Sequence, residues 1–262
     1  MEDEFRVVLK RSAEKEGLKY GALGRWSVTP YVIEAAMLAR LGDNAEALDY
    51  VLRCIRTVVG LHADRSSLER LGLTEMPSHS YAELALALDI CAAQVPDDDL
   101  KALLAVFRLH GIDSHDPLDR FLNYAAGQNT PVMQAINAGV AAILWGEECG
   151  HPAWRDVVAL ARDVTILFLD HGVDPAGYGY EGTAYSHATF HHVYLFAELL
   201  RTNGWCDLFA QEPVLERIPL ASATLLFPDR STMINTNDHG LLWPFAMPWL
   251  LLTARYYRRP VD

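Results

Sequence analysis

No stretch of this chain stays apolar for the roughly 20 residues a membrane-spanning helix requires. The longest run, PFAMPWLLLTARYY, is shorter and carries two prolines, so it reads as a core helix. Cations are also scarce: 22 Lys and Arg stand against 34 Asp and Glu, a net charge of −12, with a sequence pI near 5.2. Binding a phosphate backbone needs clustered Lys and Arg that release counterions, so the reading includes neither a nucleic-acid nor a membrane partner. A small basic or hydrogen-bonding cleft on an acidic protein can still take an anion. Four cysteines, Cys54, Cys91, Cys149 and Cys206, lie far apart without a C-x-x-C pair, and are expected as free thiols, mostly buried. The opening MEDEFRVVLKRSAEKEG is charged and amphipathic and lacks the apolar core of a secretion signal, which leaves the compartment open. G-x-S-x-G, P-loop and dinucleotide fingerprints are absent, so triad hydrolase, phosphoryl-transfer and nicotinamide chemistries have no local support.

What is present is helical pattern. With 51% apolar residues the chain can bury a substantial core. YVIEAAMLARLG, AEALDYVLRCIRTVVG, YAELALALDICAAQ, LKALLAVFRLHG, VMQAINAGVAAILWGEE, WRDVVALARDVTILFLDHG and HHVYLFAELLRTNG all repeat apolar residues at i, i+3, i+4 and i+7. Ser80 with Glu83 reads as a capping box, and Gly60, Gly111, Gly172 and Gly204 stand where helices would stop. Only IPLASATLLFPDRSTMINTNDHG mixes signals. Three stretches, MLARLGDNAEALDYVLRCI, AILWGEECGHPAWRDVVAL and ELLRTNGWCDLFAQEPVLERI, read as a helix end, a glycine-containing turn and a new amphipathic helix. The expectation is an all-α protein of about eleven helices, a single domain over residues 1–262, built from antiparallel hairpins. An α/α toroid, a solenoid and a plain bundle share that periodicity; grouped prolines and aromatics in the loops favour an incomplete toroid.

Chemistry-bearing residues gather in three segments. In NYAAGQNTPVMQAINAG, Gln128, Asn129 and Thr130 precede Pro131 at a helix start. They can cap the helix, or present amides and a helix N-terminus to a carboxylate. GYGYEGTAYSHATFHH places Tyr180, Glu181, Tyr185, His187 and His191 beside three shaping glycines. His187 and His191 have the i, i+4 spacing of metal ligands, but the Glu of H-E-x-x-H and a third ligand are missing, so neither metal nor other cofactor is assigned. INTNDHG supplies Asn237, Asp238 and His239, which could bond a sugar or build a tight turn.

In order, NTPVMQAINAGVAAILWGEE, GYGYEGTAYSHATFHHVYLFAELLRTNG, FPDRSTMINTNDHG and WLLLTARYYRRP resemble the catalytic toroid of heparinase II/III-type polysaccharide lyases, a group with alginate-cleaving relatives; the resemblance spans roughly residues 78–262. The glycine-rich Y-x-E-G-x-x-Y-like piece, with Tyr178 or Tyr180 ahead of Glu181 and Tyr185 closing it, is the most specific part. The resemblance implies β-elimination at a uronic acid, an acidic polysaccharide or oligosaccharide being the partner. Asn129 would neutralise the carboxylate, and Tyr185 would protonate the leaving oxygen and could also act as base. Gln128, Thr130, Tyr180, Glu181, His187, His191, Asn237 and Asp238 would contact substrate. Two departures stand out: Thr130 occupies a position where relatives carry a histidine or second amide, and the family's C-terminal β-sheet domain, which supplies a further histidine or tyrosine, does not follow RRPVD. The chain is therefore expected to be a toroid alone or a fragment of a longer, periplasmic or secreted lyase, with His187, His191 or His239 standing in as base; His239 joins Asn129 and Tyr185 in the catalytic set. Two rival readings are a toroid hydrolase using Glu181 and Asp238, and a non-catalytic carbohydrate-binding module.

Overall fold

The computed structural model describes residues 31–63, 78–108, 127–226, 234 and 248–257. Ten α-helices and one 3-10 turn occur among the described residues, against the about eleven helices expected. They are α1 (Val32–Gly42), α2 (Ala45–Ala63), α3 (Ser78–Cys91), α4 (Asp97–Val106), α5 (Asn129–Trp145), α6 (Trp154–His171), α7 (Thr183–Thr202), α8 (Leu208–Gln211), α9 (Val214–Thr224) and α10 (Pro248–Tyr257), with the 3-10 turn at Ala92–Gln94. The described residues hold no β-strand; an isolated antiparallel bridge joins Val173 and Gly179. The all-α expectation therefore holds. No described helix is long and apolar enough to cross a membrane.

The chain divides into two compact units, Met1–His115 with Val140–Arg155, and Asp116–Gly139 with Asp156–Asp262. In the first unit α1 packs on α2 and α3, and α2 packs on α4. Ala35, Ala36 and Ala39 are wholly buried on α1, and such small side chains let neighbouring helices come close. The link from α1 to α2 is two residues long because each does one job. Asp43 takes the left-handed conformation (φ 49), which Asp tolerates better than most residues, and the Asn44 side chain accepts a bond from the Ala47 amide at 3.0 Å. Arg56 on α2 holds Asp99 in the first turn of α4 with Nε and Nη2, the shorter contact at 2.7 Å.

Two expected boundaries differ. α2 runs through Gly60 to Ala63, because nothing crowds or redirects the chain at this exposed glycine, and an interior glycine costs a long amphipathic helix only about 1 kcal/mol. α3 starts at Ser78, so Ser80 lies in its first turn and does not begin it.

In the second unit α7 packs on α8 and α10, and α10 on α9. Gly139 on α5 lets α6 and α7 approach: an added Cβ would stand 2.7 Å from the Ala161 Cβ and 2.8 Å from the Phe196 ring. α7 ends as its glycine predicts. Gly204 adopts φ 73, its amide bonds the Arg201 carbonyl, and the Trp205 amide reaches back to Leu200 at 2.8 Å, which is a Schellman stop. The stretch with mixed signals is partly helical: α9 continues through Pro219 to Thr224. A proline inside a helix cannot donate to the carbonyl four residues earlier, here Leu215. The fully buried Tyr194 of α7 donates its hydroxyl to that carbonyl, replacing the missing amide.

Cys54, Cys91 and Cys149 are free and buried, and Cys206 is free and half-buried. Burial pushes the Cys54 and Cys149 thiols up to about 12 and Cys91 up to about 11, so all three are protonated packing groups at neutral pH.

Candidate functional site

The glycine-rich segment ahead of α7 is a tightly bonded loop. Asp174 accepts from the amides of Ala176 and Tyr178 at 2.8 and 2.9 Å, the Asx turn that an Asp-Pro pair favours. The Asp174 amide bonds the Tyr178 carbonyl at 2.8 Å and the Tyr180 amide bonds the Gly172 carbonyl at 3.0 Å. Arg217 on α9 clamps the outside of the loop through the Pro175 carbonyl at 2.7 Å. Gly177 (φ 101) and Gly182 (φ 85) take backbone angles that side chains disfavour. At Gly179 the demand is space: a Cβ there would fall 1.9 Å from the Ser186 Oγ.

This loop meets the start of α5. Gly127 stands so close to Gly172 that an added Cβ would lie 3.0 Å from the Gly172 Cα. Next to this approach the Asn129 amide donates to Glu181 Oε2 at 2.5 Å, across 52 residues of sequence. A carboxylate on a helix N-terminus satisfies an amide that has no intrahelical acceptor and meets the positive end of the helix dipole. Burial raises the Glu181 pKa, and the Asn129 hydrogen bond opposes part of that rise. The anion-binding end of α5 expected from sequence is thus met by a carboxylate of the chain itself. Asn129 is only 7% exposed, and its Oδ1 accepts from the Thr130 hydroxyl at 3.1 Å. Gln128 is half-buried ahead of the helix.

Tyr185 lies in the first turn of α7, half-buried, and its backbone carbonyl accepts from Thr189 at 2.9 Å. Tyr180 is 66% exposed at the loop's rim. The histidines separate. His187 is half-buried with Nε2 3.0 Å from the Ser222 Oγ of α9, and burial lowers its pKa to about 4, so the ring is neutral at pH 7. His191 is exposed and edge-on to His192 with ring centroids 5.6 Å apart. The described residues contain no group of three or more His, Cys, Asp or Glu placed to hold a metal ion. Asn237, Asp238 and His239 lie outside the described residues.

The structure therefore joins Asn129, Thr130 and Glu181, sets Tyr185 in the first turn of α7, and assigns His187 a separate partner. Two participants went unnoticed in the sequence: Asp174 and Ser222. Asp174 had a legible signal in its following proline. Ser222 had none, because it sits in the stretch whose periodicity was mixed. Compared with known proteins, the chain matches no family model, no curated protein and no solved structure.

Proposed function

We propose that the chain is the helical catalytic part of a lyase that cleaves uronic-acid-containing polysaccharide by β-elimination, its hairpins forming an incomplete α/α toroid. The observation that carries this reading is the 2.5 Å bond from the Asn129 amide to Glu181. It links two of the segments on which the lyase resemblance rests, and Tyr185 lies four residues after Glu181, in the first turn of α7.

The C5 proton of a uronate becomes removable only when the adjacent carboxylate is neutralised. In this reading the Asn129 side-chain amide hydrogen-bonds that carboxylate, while Glu181 engages the backbone amide and fixes the residue's position. Tyr185 gives its proton to the departing O4 as the general acid of the step. A base takes the C5 proton, and the electron pair forms the C4–C5 double bond as the C4–O4 bond breaks. His187 is directed to Ser222 and His191 lies on the exposed surface, which leaves His239 as the histidine for that step.

The test is turnover of alginate and other polyuronates, read by ultraviolet absorbance of the unsaturated uronate end. Wild-type protein yields this product, and Tyr185→Phe, verified as folded by circular dichroism, loses it. Full activity in the variant removes the assignment. A hydrolase would instead release reducing ends without the double bond. That alternative is less favoured because the Glu181 carboxylate already receives the Asn129 amide.

A further inference from the structure

The second unit contains a cavity of about 190 Å³, open to solvent on one side, between the glycine-rich loop, the first two turns of α7 and the last turns of α9. Pockets for drug-sized ligands measure about 300–1,000 Å³; this smaller cavity suits one small ring. None of the described lining residues is Asp, Glu, Lys or Arg. An ion entering would shed its water with no countercharge in the wall, which is strongly unfavourable.

Its hydroxyl groups have unequal roles. Thr183 donates to the Ile234 carbonyl at 2.9 Å, and the Tyr178 hydroxyl is paired with Thr224 at 2.7 Å. Recognition therefore falls to Ser186, Ser222 and His187. Ser186 and Ser222 are more than nine-tenths buried, at 4% and 3% exposure, yet both line the cavity. Ser222 and His187 form a pair that serves a hydroxyl ligand in either tautomer. If His187 Nε2 accepts the Ser222 proton, the serine oxygen presents lone pairs; if Nε2 is the donor, Ser222 directs its own proton elsewhere. The Phe190 ring and Leu225 make up the apolar wall.

We propose that this cavity is a binding site for a single uncharged sugar ring, its hydroxyls held by Ser186, Ser222 and His187 and its C–H face set against Phe190. An uncharged ring with one apolar face and a hydroxyl edge matches a wall that combines Phe190, Ala221 and Leu225 with Ser186, Ser222 and His187 and whose described residues include no Asp, Glu, Lys or Arg. The site is independent of the lyase reading. Tyr185 and Asn129 do not line it, and its ligand is neutral where the proposed lyase substrate is anionic.

The experiment is a titration of the full chain with methyl β-glucopyranoside, followed by amide chemical shifts and by saturation transfer to the sugar. The expected result is shifts concentrated at Ser186, Phe190 and Ser222 in the wild type, a reading that needs no variant. Ser222→Ala should weaken binding about tenfold, the effect of one hydrogen bond, and Ala221→Leu should abolish it by filling the cavity. Tyr185→Phe should bind as wild type does, so loss of lyase product and loss of sugar binding are separable. Glucuronate should bind at least about tenfold more weakly than the neutral sugar. Absence of wild-type shifts at these residues, binding unchanged in both cavity variants, or glucuronate binding as tightly as the glucoside each overturns the proposal.

Discussion

The first turns of α5 and α7 face the same requirement, backbone amides without intrahelical acceptors, and meet it differently. α5 receives a carboxylate from a distant part of the chain, Glu181 on the Asn129 amide. α7 starts on Gly182 (φ 85, ψ 173) with no side-chain cap bond and borders a cavity whose described wall carries no formal charge. The contrast shows that a helix N-terminus is not by itself an anion site. At α5 the chain has supplied the anion, so any further carboxylate must be recognised by side chains. At α7 the uncharged wall selects for neutral polar groups.

The two ends also titrate in opposite senses. Glu181 has a raised pKa, above the ordinary 4.5. Its contribution to stability is present below pH 4.5 and declines as pH rises through the folded-state value. His187 is depressed from 6.5 to about 4. Its contribution is complete above pH 6.5 and is lost as pH falls toward 4, because the unfolded chain takes up the proton first. From pH 4.5 upward toward 6.5 the two therefore partly offset each other.

The largest expected effect is on turnover. Removing the Tyr185 hydroxyl should lower lyase product about 10²–10⁴-fold, the usual range for a lost general acid, while urea unfolding changes little. The His187 effect comes next. The wild type should lose up to about 3 kcal/mol between pH 6.5 and 4 through this residue, and in His187→Gln that acid-side loss should shrink, as measured by urea midpoints across the range. An unchanged pH profile would remove His187 from the account.

At the α5 end, Glu181→Ala strands the buried Asn129 amide and should cost about 1–3 kcal/mol. Glu181→Gln can still accept that bond without a buried charge, so it should cost less than 1 kcal/mol and steepen the acid-side loss left by His187. Equal losses in the two variants would mean that the carboxylate's charge, more than its hydrogen bond, holds the helix end. Tyr194→Phe, remote from both first turns, should lose about 1 kcal/mol or somewhat more by uncovering the Leu215 carbonyl opposite Pro219, with no change in sugar binding.

The helices were legible because their apolar faces repeat with the helical period: WRDVVALARDVTILFLDH is α6 from end to end. Boundaries were less legible where one residue supports two outcomes. Gly60 can stop a helix or be carried inside one, and the length of the surrounding amphipathic pattern decided for inclusion. α9 was obscured by Pro219, since a proline reads as a break unless something replaces its amide, and the hydroxyl that does so comes from Tyr194 on another helix. In the candidate site, the crowding of titratable groups around Glu181 and Tyr185 was visible in sequence. That Glu181 would bond the Asn129 amide, and His187 a serine of α9, was not, because both bonds join residues far apart in the chain.

By itself the sequence determined an acidic, all-α chain with a glycine-shaped loop ahead of a long helix, since composition, periodicity and backbone freedom are local properties. The tertiary structure alone decided which groups meet: a carboxylate on the first amide of α5, an imidazole neutralised by burial against Ser222, and an uncharged cavity beside α7. Burial and hydrogen-bond partners, which set the charge and reach of a side chain, depend on what the fold brings to it and not on its neighbours in sequence.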